Sequence, residues 1–121
     1  MREALVSWPY VSPPDSSLVL KEGELWREAG VKKRWKKSFV VVTHDNFIHV
    51  LSSAEENSEI LTSFCLKNAS VKEMILMEEP LIEITEAKPS GVFSFLYSAK
   101  KLLFRFDDDV KKQEWIRIFR P

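Results

Sequence analysis

The stretch that decides the fold is Asp107-Asp108-Asp109-Val110-Lys111-Lys112-Gln113-Glu114-Trp115-Ile116-Arg117-Ile118-Phe119-Arg120. Here the apolar residues recur at helix spacing. Val110, Trp115, Ile116 and Phe119 predict one apolar stripe on a short helix. The aspartates offer an N-cap and an acidic first turn, where carboxylates satisfy free backbone N–H groups and suit the positive end of the helix dipole. That explanation needs no cation site. Arg117 and Arg120 lie towards the other end, where positive charge is favoured.

Upstream of Asp107 the period is two. Strands are predicted at Leu18–Trp26, Arg34–Thr43, Phe47–Leu51, Glu59–Leu66, Leu81–Thr85, Val92–Tyr97 and Lys101–Phe106, the second with aromatic and β-branched enrichment. Val71–Met77 extends or follows the fourth. His44-Asp45-Asn46 and Lys88-Pro89-Ser90-Gly91 are turns, and Ser52–Ser58 is a polar loop. About seven strands and one closing helix imply a mainly β fold, a barrel or sandwich stopped at one end by the helix. Residues 1–17 contain Pro9, Pro13 and Pro14 and read as an extended lead-in or linker. Trp8, Tyr10 and Val11 are candidates to dock on the domain, which occupies 18–121.

At 121 residues the chain is one domain. Eighteen Lys and Arg balance eighteen Asp and Glu, so only the distribution of charge can speak about partners. A single cysteine, Cys65, excludes a disulfide framework or a multi-cysteine metal site and suits a reducing compartment. It reads as a small buried hydrophobe. Apolar runs fall short of the ~20 residues of a membrane helix, and the N-terminus does not read as a signal peptide. Three glycines leave no Gly-rich nucleotide loop. His44 and His49 read as turn and surface residues, too isolated for a metal site. No Ser/His/Asp elbow, HExxH or P-loop occurs. An enzyme, a metal and a cofactor are therefore not expected.

Charge is concentrated between Lys21 and Lys37. Lys21, Arg27, Lys32, Lys33, Arg34, Lys36 and Lys37 stand against Glu22, Glu24 and Glu28, a local +4 that the rest of the chain must offset. Strand alternation puts Arg34, Lys36 and Ser38 on one face and Lys33, Trp35, Lys37 and Phe39 on the other. Such a patch orients a protein towards an anionic surface, where each basic residue contributes on the order of 1 kcal/mol.

Three segments carry a resemblance. Lys21-Glu22-Gly23-Glu24-Leu25-Trp26 resembles the "KEGxLxK" opening strand of pleckstrin homology (PH) domains. Lys33-Arg34-Trp35-Lys36-Lys37-Ser38-Phe39-Val40-Val41-Val42 resembles their second strand, "kxWkxRyFvL". Phe106-Asp107-Asp108 through Glu114-Trp115-Ile116 resembles their closing helix with its single tryptophan. The likeness runs from about residue 18 to 120. It implies a bent seven-stranded β-barrel capped by the C-terminal helix, with variable loops and, in some members, a phosphoinositide site at the other end. It places Trp35 packed on the barrel and Trp115 in the core, and leaves Trp26 open.

In lipid-binding PH domains a first-strand lysine and a second-strand basic pair converge on headgroup phosphates. Arg27 and Lys36 match the first two positions. The third, usually arginine, is Ser38, which can donate a hydrogen bond but brings no charge. The resemblance implies a lipid-binding set of Arg27, Lys32, Lys33, Arg34, Lys36, Lys37 and Ser38. Lys33 and Lys37 suit a site on the outer side of the hairpin, and Lys88, Lys100 and Lys101 could join either. The implied function is a non-enzymatic module that recruits a larger signalling, trafficking or cytoskeletal protein to anionic phospholipid, including phosphoinositides, at the cytoplasmic face of a membrane. The alternative is a protein-interaction scaffold with a degenerate lipid site. It would use a strand edge or a helix-flanked groove, with Glu55, Glu56, Glu59, Glu78 and Glu79 steering a basic partner. Nucleic acid is disfavoured by the balanced charge and the lack of an exposed aromatic–basic ladder.

Overall fold

The β-rich body forms seven antiparallel strands: β1 (Val19–Ala29), β2 (Arg34–Thr43), β3 (Phe47–Leu51), β4 (Ile60–Cys65), β5 (Ser70–Leu76), β6 (Glu79–Thr85) and β7 (Lys101–Arg105). These seven strands and one helix, α1 (Asp109–Phe119), are the regular elements among the described residues. The structure is a computed structural model that describes residues 18–55, 58–88, 96 and 98–120. The strands make one sheet in the order β4-β3-β2-β1-β7-β6-β5. Every pairing is a sequential neighbour except β1 with β7, where Trp26 faces Arg105 and Arg27 faces Phe104. That non-local pairing joins the two runs of strands into one curled sheet, a half-barrel with the closing helix expected from the sequence.

β2 shows why the curl is stable. Every residue from Ser38 to Thr43 is buried. Val40 and Val42 point into the main core with Leu25, Ile48, Val50 and Phe104. Phe39 and Val41 point the other way, into a smaller cluster with Leu51, Val19 and Ile60. A strand covered on both faces reads as a continuous apolar run rather than an alternation.

Val71–Met77, ambiguous in the sequence, forms β5. It pairs with β6 from Ser70–Thr85 to Leu76–Glu79. Met77 and Glu78 close the hairpin with φ of 52° and 65°, the left-handed pair of a two-residue turn that matches strand twist. The lead-in at 1–17 lies outside the described residues. So does the expected strand at 92–97 apart from Leu96, which is not in a strand.

α1 starts as expected. The Asp108 carboxylate accepts from the Lys111 amide at 2.8 Å, and Asp109 supplies the acidic first turn. The apolar stripe needs correction. Trp115, Ile116 and Phe119 are buried, but Val110 is 71% exposed. The residue completing the buried spacing is Lys112, 5% exposed, at i relative to i+3, i+4 and i+7. Its ammonium lies 3.3 Å from Glu73 on β5 and 3.1 Å from Asp109. Burial disfavours the charge on Lys112. Hydrogen bonds to Asp109 and Glu73 outweigh it and raise the pKa. Glu73 is held below the usual carboxylate range by hydrogen bonds from Gln113 and Lys112. Arg120 adds a 3.3 Å contact to Glu73 and donates to the Val71 carbonyl at 2.9 Å. The helix is thus clasped to the edge strand β5.

Trp115 reaches across to β1, where a Cβ on Gly23 would lie 3.3 Å from its ring. His49, expected at the surface, is buried at 6% exposure. Its Nδ1 lies 2.7 Å from Ser63 Oγ on β4. Burial pushes its pKa down to about 4 against the opposing pull of Asp45. Cys65 is half-buried, and its sulfur accepts from the Lys67 amide at 3.4 Å.

Candidate functional site

The β1–β2 hairpin extends the barrel wall beyond its core. Its turn runs Gly30-Val31-Lys32-Lys33, with Gly30 at φ +80° and Lys33 at φ 51°. The Lys33 amide closes it onto the Gly30 carbonyl at 3.1 Å. Only glycine adopts such a φ without cost, which fixes where the chain reverses. Val31, at the apex, is fully exposed beside Lys32 and Lys33.

Register decides which cations meet. Leu25 faces Ser38, Arg27 faces Lys36 and Ala29 faces Arg34. Leu25, Val40 and Val42 line the core, so Arg27, Arg34, Lys36 and Ser38 continue that inner face towards the turn. Ser38 is buried at 2% exposure. Its hydroxyl accepts from Arg27 Nε at 3.1 Å. The Arg27 guanidinium is half-buried, and burial lowers its pKa. Arg34 and Lys36 are exposed. Among the described residues none of Arg27, Arg34 and Lys36 forms a salt bridge.

Lys37 lies on the outer face with Trp26 and Trp35, whereas Lys33, expected beside it, belongs to the turn, ahead of the first residue of β2. Lys37 Nζ sits 5.3 Å from the Trp26 ring centroid. The Arg105 guanidinium lies 5.1 Å from both tryptophan rings and 3.6 Å from Glu79. Sequence reasoning misses this aromatic–cation ladder. Its Lys37–Trp26 rung follows from the β1–β2 register, but the Arg105 rungs depend on β7 pairing with β1, and sequence spacing carries no record of that pairing. Both tryptophans are half-buried, with the protein's own cations over their rings.

The expected set therefore divides. Arg27, Arg34, Lys36 and Ser38 share the inner face, Lys37 lies on the outer, and Lys32 and Lys33 are in the turn. Lys100 donates to the Ser63 carbonyl at 2.9 Å and Lys101 lies 3.9 Å from Glu83. These contacts tie both to β4 and β6 rather than to the hairpin. Lys21 lies over Trp115 and near Glu114, at the helix. Among the described residues no cluster of three or more His, Cys, Asp or Glu is placed to hold a metal. No described helix is long and apolar enough to cross a membrane.

A curled antiparallel sheet stopped by one helix, with its first hairpin projecting cations, defines a small β-barrel binding module. The chain belongs to the PH-domain family, whose model matches residues 19–121. Solved structures share the fold. The C-terminal PH domain of pleckstrin, determined with an inositol pentakisphosphate, is 19% identical with a TM-score of 0.67 over 85% of this chain and 93% of that one. The PH domain of the human KIAA0053 protein is 19% identical with a TM-score of 0.67, covering 88% and 90%. The Slm1 PH domain, determined with inositol 4-phosphate, is 21% identical with a TM-score of 0.62, covering 85% and 94%. No curated protein matches the sequence.

Proposed function

We propose that this domain is a non-enzymatic membrane-targeting module that binds anionic phospholipid headgroups, phosphoinositides in particular, through the inner face of the β1–β2 hairpin. It would serve a larger signalling, trafficking or cytoskeletal protein at the cytoplasmic face of a membrane. The observation that carries the reading is the direct cross-strand pairing of Arg27 with Lys36. Like charges opposite one another destabilise a hairpin, and no salt bridge offsets these two among the described residues. A phosphate group set between them removes the repulsion and gains charge-assisted hydrogen bonds. The pleckstrin and Slm1 neighbours, solved with inositol phosphates, agree with this chemistry. Affinity for a bilayer from one such site is modest, so stable attachment requires a second signal.

The test is co-sedimentation at physiological salt with phosphatidylcholine vesicles carrying either phosphatidylserine or a phosphatidylinositol bisphosphate at matched surface charge. Wild type should pellet, and Arg27→Ala and Lys36→Ala should each remain largely in the supernatant. Wild type in the supernatant with every vesicle would overturn the reading.

A second reading, a protein-interaction scaffold, draws on a different observation. Ile75, Leu76 and Met77 at the end of edge strand β5 are 75%, 55% and 89% exposed beside Glu78 and Glu79. A basic partner with an apolar face suits that tip. An Ile75→Ser/Met77→Ser variant that loses a partner while keeping vesicle binding would favour it.

A further inference from the structure

The family pattern places an arginine where this chain has Ser38, and the usual guanidinium of the second strand is missing. The structure shows what the serine does instead. Ser38 is too deeply buried to reach a ligand itself. Its hydroxyl is spent on the side chain diagonally across the hairpin, accepting from Arg27 Nε at 3.1 Å. An unrestrained arginine loses rotamer freedom when it binds. A hydrogen bond to a buried anchor removes part of that freedom beforehand. It also occupies the Nε donor alone, leaving the two terminal nitrogens, whose paired N–H groups match two oxygens of one phosphate. Lys36, directly opposite, supplies a point charge to the same face.

We infer that Ser38 is a positioning residue that holds Arg27 in place, so that the bidentate phosphate contact comes from the first strand rather than the second. The inference rests on the headgroup reading above. Ser38 acts through Arg27 and makes no headgroup contact of its own. Removing its hydroxyl should therefore affect recognition of a shaped phosphate ligand more than attraction to a charged surface.

The experiment is calorimetric titration with soluble inositol trisphosphate, run beside sedimentation with phosphatidylserine–phosphatidylcholine vesicles. The proteins are wild type, Ser38→Ala, Ser38→Thr, Arg27→Lys and the Arg27→Lys/Ser38→Ala double variant. Ser38→Ala should bind inositol trisphosphate about three- to tenfold more weakly, the range expected for losing one hydrogen bond. Its phosphatidylserine binding should change less than about twofold. Ser38→Thr keeps a hydroxyl and should restore most of the loss. In the Arg27→Lys background, which has no Nε donor, Ser38→Ala should add nothing. Three results would overturn the inference while leaving the headgroup reading intact: full affinity in Ser38→Ala, no recovery in Ser38→Thr, or an undiminished Ser38→Ala loss in the Arg27→Lys background. Failure of wild type to bind inositol trisphosphate and every vesicle would overturn both.

Discussion

Gly23 shows how a residue can be legible as a motif and silent about its cause. It sits in the opening-strand pattern, yet nothing in β1 alone demands glycine. The demand comes from Trp115, near the far end of the chain, whose ring would be 3.3 Å from an added Cβ. That ring is 2% exposed and packed 5.5 Å from Phe119, between centroids, so it has little room to retreat. Gly23→Ala should destabilise the domain by about 1–2 kcal/mol, read as a lower urea midpoint at unchanged slope. His49 is misread from sequence because its burial depends on Ser63 across the β3–β4 pair. Its folded pKa of about 4 lies below the ordinary 6.5, so the unfolded chain binds the extra proton first. The neutral imidazole's contribution is complete above pH 6.5. It is lost as pH falls towards 4, by an amount on the order of 3 kcal/mol. Urea midpoints across that range should fall for wild type and stay flatter for His49→Gln. Glu73, also lowered, gives up its contribution only below the ordinary carboxylate value of 4.5.

At the scale of the element, α1 is readable because capping is local. Asp108 and Asp109 announce the start within one turn, whatever the helix packs against. Its buried face is less readable. A lysine looks like solvent exposure until the strand supplying its counter-charge is placed beside it. Lys112 is buried because Glu73 waits on β5. Glu73→Ala would leave that ammonium with Asp109 alone and free Arg120 from its carboxylate. A loss of about 1–3 kcal/mol is expected, with faster amide exchange in β5 and the last turn of α1. Lys112→Met, which removes the buried charge and keeps the length, should stay within about 1 kcal/mol of wild type. Similarly, β5 is ambiguous in sequence because the residues that confirm it, Leu81–Thr85, pair with it only after Met77 and Glu78 adopt left-handed geometry. Neither residue type advertises that.

For the whole molecule, the mainly β class with a closing helix follows from periodicity, and the inner and outer faces of β2 follow from alternation. The set of strands does not, since β5 is a strand of its own where the sequence leaves Val71–Met77 to extend or follow the fourth. The β1–β7 pairing does not, and with it go Arg105 and the tryptophans it touches. The clustering of charge along the chain is legible, since it needs only the order of residues. The hairpin's +4 is opposed by −4 elsewhere, so attraction to an anionic bilayer should be screened by salt over a Debye length of about 8–10 Å. Raising salt from about 0.05 to 0.5 M should remove most phosphatidylserine binding. Any excess that survives on phosphatidylinositol bisphosphate measures close contact. The same lopsidedness reaches the chromatography bench. At neutral pH a bead interacts with whichever face it meets, not with the sum. A protein whose formal charge is zero should still be held by a cation-exchange resin and elute late in a salt gradient, and it should lose that retention when Lys33, Arg34 and Lys36 become alanine.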